Sequence, residues 1–279
     1  MDGRRTAVLA GAVGVLAAAN VLNNRLAPRL APLTSVAATG ALLALARRSG
    51  LSWAELGFTE RRRGLRIGGA LAAAVTAAYG AGVTMPVTRR FFHDERALSL
   101  SRARVLEEAL LQVPVGTVLL EEVGFRGVLY GLLARSCGVP AATAVSSALF
   151  GLWHVLPSMD MAVANPALSG LATGEGPAQA PAEGVAREDA PGNAREDAPG
   201  SATPPDAALL ARVVAGSVVS TGLAGVLFCE LRRRGGLTAP ALLHVATNSL
   251  GYLFARLAAR RSAAARRRAP HPAGPGSGR

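Results

Sequence analysis

Seven long apolar runs constrain this chain more than any other feature. A helix that crosses a bilayer needs about 20 mostly apolar residues, and stretches close to this length recur along the sequence. Short blocks of arginine lie between them, which is typical of the ends of membrane helices. We therefore predict an all-α, polytopic transmembrane helix bundle of about seven spans, or eight. The runs cover residues 6–21, 31–46, 67–87, 109–135, 139–156, 207–231 and 237–257.

The number and positions of the charged residues favour a membrane protein over a soluble protein or a nucleic-acid-binding protein. Charged residues make up 17% of the 279 residues, against about 25% in an average soluble protein. The net charge is +12, but the arginines flank apolar runs instead of gathering with aromatic residues on one face. We therefore expect a lipid bilayer as partner and no nucleic acid. The chain contains no lysine, a bias that suggests a GC-rich genome and a bacterial cell membrane.

Composition divides the chain into regions. We predict N-terminal transmembrane helices and basic loops over residues 1–104, a core over 105–257 and a disordered basic tail over 258–279. The core is interrupted at 166–206 by a segment rich in Pro, Gly and acidic residues, in which AREDAPG occurs twice. Such a composition predicts a flexible, solvated insertion. Cys137 and Cys229 have no metal-ligand spacing, and we expect both to be small buried hydrophobic residues.

The fourth run carries the least expected charges, in the sequence LLEEVGFRG at residues 119–127. Each charge near the centre of a membrane helix costs about 2.5–3.5 kcal/mol. Glu122 and Arg126 are four residues apart and can pair on one helix face. Glu121 is offset by about 100° and should face a cavity or another helix, so it is a functional candidate. Alternatively, all three residues mark a helix end at the membrane edge.

Two histidines lie inside other apolar runs. Phe150 and His154 share a helix face, as do His244 and Asn248, because each pair is four residues apart. Taken alone, either histidine is best interpreted as a hydrogen-bonded core residue. Together with the acid pair they predict more, since three helices can place Glu, His, His and Asn around one water molecule.

These residues resemble a known family. Glu121-Glu122-x-x-x-Arg126, Phe150-x-x-x-His154 and His244-x-x-x-Asn248, in this order, are similar to the three motifs of the CPBP intramembrane proteases. That family is the CAAX prenyl endopeptidase type II and bacteriocin-processing group, also called Abi. Residues 51–58 (LSWAELGF) also resemble the family's segment before the core. The chain departs from the family in the long insertion between the second and third motifs.

The resemblance implies an intramembrane endopeptidase and a role for each motif residue. Glu121 would activate water as general base with help from His154, and His244 and Asn248 would stabilise the oxyanion. The remaining motif residues, Glu122, Arg126 and Phe150, would be structural or orient the substrate. The implied partners are the bilayer and a peptide or membrane-protein substrate, including leader peptides.

The sequence leaves two questions open, namely whether the site holds a metal and whether the protein is an enzyme. Glu121, His154 and His244 are acceptable zinc ligands, so one divalent metal such as zinc is an alternative to a cofactor-free site. The spacing is not the local histidine pair of soluble zinc proteases. A non-enzymatic membrane protein, such as an immunity or scaffold protein, and a proton-coupled small transporter are the rival functions.

Overall fold

The computed structural model describes residues 3–164 and 207–268, and this part of the chain is all-helical, without strands. The predicted insertion at 166–206 and the end of the tail, 269–279, lie outside the described residues. The first helices are α1 (Gly3–Val21), α2 (Ala31–Arg48) and α3 (Arg61–Thr84), followed by the short α4 (Pro86–Arg89) and α5 (Glu95–Ser99). The central helix then runs through α6 (Arg102–Glu107), α7 (Leu119–Glu121) and α8 (Tyr130–Trp153). The last helices are α9 (Val155–Ala164), α10 (Ala207–Gly235) and α11 (Thr238–Arg268).

The central helix is widened on both sides of α7. The stretches Glu108–Val118 and Glu122–Leu129 have π-helical geometry. Pro114 lies inside the first of them and lacks the N–H that an α-helix would use. π-helical segments often occur at functional sites because they re-aim the side chains of one turn. Here they flank the acid pair of the fourth apolar run.

A break at Gly138 folds the fourth and fifth runs against each other. Gly138 has φ +82° and ψ 170° in the middle of α8, a conformation that is essentially restricted to glycine. Ser146 Oγ donates to the Phe125 carbonyl at 2.9 Å, and the Phe125 and Phe150 rings lie 5.3 Å apart. The two halves are therefore antiparallel neighbours, as the gap between the runs at 135 and 139 predicts.

Small residues let the helices approach closely. A Cβ placed on Gly151 would lie 2.5 Å from the Val218 carbonyl, and one on Gly225 would lie 3.0 Å from Ser147 Cα. These contacts join α8 to α10. Close packing of small residues is the usual way in which helices associate in lipid, where burial of apolar surface gives no advantage.

Within residues 3–164 and 207–268, five helices are long and apolar enough to cross a membrane. Two of the seven predicted runs fall in one of these, Arg102–Asp160, which the break at Gly138 divides. Helix α11 lies at the seventh run but is not among the five, because its polar and arginine-rich turns lower its hydropathy. The fold class is thus confirmed as an all-helical membrane protein, and the span count only approximately.

Two details differ from the sequence predictions. Helix α11 continues to Arg268, so residues 258–268 of the predicted disordered tail are helical. Cys229 is buried as expected, but Cys137 is exposed, because it lies at the turn next to the break at Gly138.

Candidate active site

The acid pair lies inside the bundle, not at a helix end in solvent. Glu121 is 3% exposed and Glu122 is 2% exposed. Glu121 ends α7 and Glu122 begins the second π-helical stretch. A buried carboxylate needs partners to offset the loss of hydration, and each of the two finds them on other helices.

His244 on α11 lies between the two carboxylates. Its Nδ1 is 2.8 Å from Glu122 Oε1, and its Nε2 is 3.7 Å from Glu121 Oε2. An ionised carboxylate can only accept, so Nδ1–H donates to Glu122. That hydrogen bond fixes the ring and directs Nε2 toward Glu121. The two acids, which should diverge on a regular helix, are thereby joined through one imidazole ring.

Arg126 neutralises Glu122 from the same helix. The guanidinium Nη1 lies 3.5 Å from Glu122 Oε1, and the residue is fully buried. The guanidinium carbon, Cζ, lies 3.7 Å from the centre of the Phe150 ring and 4.9 Å from the centre of the Phe228 ring. Such cation–π contacts stabilise a desolvated guanidinium by about 2 kcal/mol. Phe150 thus holds Arg126, and Phe228 is a neighbour that the sequence reasoning did not identify.

Trp153 is the main site residue that the sequence reasoning missed. Its indole Nε1–H donates to Glu121 Oε1 at 2.8 Å, in a buried hydrogen bond. The Trp153 carbonyl in turn accepts from Asn20 Nδ2 of α1 at 2.8 Å. A signal was available, because a buried tryptophan usually needs a partner for its N–H. Glu121 is therefore held at one oxygen, while Oε2 is buried and has no hydrogen-bond partner among the described residues.

His154 directly follows the tryptophan and ends α8. Its Nδ1 lies 2.8 Å from the Phe150 carbonyl, and the two rings stack edge to face with centroids 4.6 Å apart. A carbonyl oxygen only accepts, so Nδ1 is the donor of this hydrogen bond. The Phe150 ring also lies 6.2 Å from the ring of His244. One aromatic side chain therefore separates the two histidines.

Asn248 lies one turn beyond His244 on α11. Its side chain is exposed, and its Oδ1 accepts a hydrogen bond from the Thr247 hydroxyl at 3.3 Å. The structure thus brings five of the predicted residues into mutual contact, puts His154 beside Phe150, and leaves Asn248 at the rim. The five are Glu121, Glu122, Arg126, Phe150 and His244.

The possible metal ligands of the site do not form a metal-binding group. Within residues 3–164 and 207–268, no three His, Cys, Asp or Glu side chains are grouped closely enough to hold a metal ion. Of the three candidate ligands, Glu121 and His244 approach each other, and His154 contacts Phe150 instead. A protein zinc site needs at least three such ligands. The described residues therefore do not fit a metal, and no catalytic step is assigned to one.

The motif residues fall within one region of family similarity. A family model described as type II CAAX prenyl endopeptidase Rce1-like matches residues 108–250. This range begins at the first π-helical stretch and ends two residues after Asn248. No curated protein and no solved structure matches the chain.

Proposed function

The chain belongs to the Rce1-like family of type II CAAX prenyl endopeptidases and is a CAAX-type intramembrane protease, and we propose that it cleaves peptide bonds with a water molecule activated by Glu121. The proposed substrates are membrane-associated proteins or leader peptides. In the reaction the water oxygen attacks the peptide carbonyl carbon, and Glu121 takes the proton. The C–N bond then breaks, and that proton passes to the leaving amine.

One observation carries this proposal, namely the unequal environments of the two Glu121 oxygens. Oε1 is held by the Trp153 indole, whereas Oε2 is buried without a hydrogen-bond partner. A general base must be fixed in place and still have an oxygen within reach of the proton it abstracts. We propose Oε2 as that oxygen, because the hydrogen bond at Oε1 orients the whole carboxylate and leaves Oε2 without a partner among the described residues.

His154 is proposed to hold the same water molecule. Its Nδ1–H is engaged by the Phe150 carbonyl, so Nε2 is the nitrogen available to accept a hydrogen bond from water. His154 follows Trp153 in the chain, and Trp153 contacts Glu121. The water molecule would lie between His154 Nε2 and the Glu121 carboxylate.

His244 and Asn248 are proposed to stabilise the oxyanion of the tetrahedral intermediate. His244 Nε2, when protonated, is a donor beside Glu121, and the Asn248 amide is one turn away on the same helix. Each correctly placed donor of this kind contributes about 2.7–4 kcal/mol to the transition state. The exposed position of Asn248 fits a donor that contacts substrate at the mouth of the site.

Glu122, Arg126 and Phe150 are proposed to position the catalytic groups. Glu122 fixes the His244 ring through Nδ1, and Arg126 offsets the charge of Glu122. Phe150 packs against Arg126 and His154. The Arg126 charge beside Glu122 reduces the cost of burying that carboxylate.

The test is a peptide-cleavage assay with the full chain in liposomes. Glu121→Gln should lower kcat by at least about a thousandfold, since it removes the base but keeps the shape. Glu107→Gln is the matched control, because it changes a paired glutamate on the same helix that is 38% exposed. Equal rates for Glu121→Gln and the wild type would overturn the assignment. Proton-coupled uptake without cleavage would instead identify a transporter.

The peptidase type is tested separately. We propose a glutamic peptidase, because the described ligand types do not form a three-ligand group. Cleavage after exhaustive chelation, with metal content measured on the same sample, should equal that of untreated enzyme. Activity that is lost with the metal and restored by zinc would contradict this proposal.

A further inference from the structure

A second site lies at the end of the bundle where the arginines gather. A cavity of about 440 Å³ is lined there by residues that include Glu55, Tyr130, Arg135, Arg232 and Arg233. Tyr130 is eight residues beyond Glu122, and neither Glu121, Glu122 nor His244 lines the cavity. The cavity is therefore separate from the catalytic residues.

Arg232 and Tyr130 form a buried pair in this cavity. The Arg232 guanidinium lies 4.3 Å over the Tyr130 ring, the two side chains interact by a hydrogen bond, and Arg232 Nη2 donates to the Glu55 carbonyl. Outside this pair, Tyr130 Oη and Arg232 Nε have no hydrogen-bond partner among the described residues. A buried donor without an acceptor is costly, so the unused donors of this pair indicate a ligand that offers acceptor oxygens.

The other two arginines that line this cavity are paired with glutamates. Arg135 is bound by both carboxylate oxygens of Glu55, at 2.5 and 2.6 Å, and Arg233 pairs with Glu230 at 2.7 Å. Arg232 instead contacts a backbone carbonyl and an aromatic ring. Among the described residues that line this cavity, Arg232 has no carboxylate partner, so its charge can be neutralised by a bound anion.

An adjoining cavity extends the same surface. It has a volume of about 370 Å³, shares Arg135 with the first, and adds Arg4, Arg5 and Arg48. One wall is apolar, formed by Val8, Leu9 and Leu132. Trp53 and Phe58 of the nearby loop are 49% and 43% exposed, and exposed aromatic residues of this kind mark the membrane interface.

We propose that this basic end binds the phosphate group of an anionic amphiphile, with its acyl chain along the apolar wall. The phosphate oxygens accept from Arg232 and the Tyr130 hydroxyl. Basic pockets between helices at a membrane surface recognise acidic lipid headgroups in this way. The apolar wall beside the arginines favours a lipid over a free phosphate ion.

The test measures ligand-dependent stabilisation of the full chain in detergent. Three probes are compared at equal ionic strength: phosphatidylglycerol, phosphatidylcholine with the same acyl chains, and inorganic phosphate. Phosphatidylglycerol should raise Tm and the other two should not. Equal stabilisation by phosphatidylcholine would overturn the proposal, and equal stabilisation by inorganic phosphate would overturn the lipid as the source of the phosphate.

Single substitutions test whether Arg232 and Tyr130 form the binding site for phosphatidylglycerol. Arg232→Gln should weaken phosphatidylglycerol binding about fivefold, the contribution of one basic residue at an acidic surface. Tyr130→Phe removes only the hydroxyl, so it should also weaken binding even if Arg232→Gln folds poorly. Arg62→Gln is the matched control, because Arg62 is an exposed arginine at the start of α3. Equal losses in Arg62→Gln and Arg232→Gln would show general charge attraction and refute a defined site.

Discussion

The cluster around Glu121, which we propose to be catalytic, contains residues that the sequence makes evident and residues that it does not. Glu121, Glu122 and Arg126 are evident because charges are rare in an apolar run, and His244 because it lies alone in another. Trp153 and Phe228 have ordinary apolar surroundings, so only the three-dimensional contacts show that they bind Glu121 and Arg126. The ionisable residues of the cluster are therefore predictable from the sequence, whereas the aromatic residues that hold them in position are not.

Trp153→Phe tests whether the indole N–H orients the general base. The substitution keeps an aromatic ring but removes the donor to Glu121 Oε1. A hydrogen bond to a charged group contributes about 1.5–3 kcal/mol, so kcat should fall about ten- to a hundredfold. KM should stay within about twofold if the bond acts on catalysis alone. Trp53→Phe, in the exposed loop, is the control. An unchanged kcat, or a rise in KM alone, would show that Trp153 does not position Glu121.

The pairing of Glu122 with Arg126 can be tested by stability. Arg126→Met leaves a buried carboxylate without its cation, which should cost about 3–5 kcal/mol of unfolding free energy. Adding Glu122→Gln to that variant should recover part of the loss, because the uncompensated charge is removed. Chemical unfolding in detergent micelles measures both. A double variant as unstable as the sum of the single variants would contradict the pairing.

At the scale of helices, the hydropathy of the sequence predicted where the helices lie. The backbone conformation at Gly138 and in the π-helical stretches determines how they connect. Helices lie at all seven predicted runs, and the break at Gly138 lies between the fourth and the fifth. The π-helical stretches around the acid pair were not foreseen, because hydropathy carries no signal for the number of residues per turn. The extension of α11 to Arg268 was missed for a related reason, since arginines do not oppose helix formation.

Gly138→Ala tests the break. The φ of +82° and ψ of 170° are unfavourable for any residue with a Cβ, by about 1–3 kcal/mol. We expect a loss of stability of that size, measured by thermal unfolding in detergent. Gly14→Ala is the control, because Gly14 lies within α1 and a Cβ there would have open space. Equal Tm values for Gly138→Ala and the wild type would show that the break does not require glycine.

For the whole molecule, the loop at residues 51–58 joins parts of the bundle that are distant in sequence. Leu51 and Leu56 are buried, and the Gly57 carbonyl accepts from the Leu237 N–H at the start of α11 at 2.8 Å. Glu55 connects the same loop to α8 through Arg135. The sequence indicated this segment by its resemblance to the family, but its contacts join residues far apart in the chain, and local sequence patterns do not reveal such pairs.

The Glu55–Arg135 pair predicts a dependence of stability on pH. The Arg135 hydrogen bond lowers the pKa of Glu55 from 4.5 to about 2. The pair therefore stabilises the fold above about pH 4.5, and this contribution is lost as the pH falls toward 2. Because the Glu55 side chain is 41% exposed, we expect about 0.5–1 kcal/mol. Glu55→Gln should unfold more easily at neutral pH and match the wild type near pH 2. A constant difference across this range would contradict the pair's role.

The most direct measurement is a double-variant cycle on kcat with Glu121→Gln and His154→Ala. In the proposed mechanism both side chains act on one water molecule, and groups that act as a unit have non-additive effects. We predict that each single variant is strongly impaired and that the double variant is about as slow as Glu121→Gln alone. Multiplied losses in the double variant, or a near wild-type rate in either single variant, would contradict a shared water molecule.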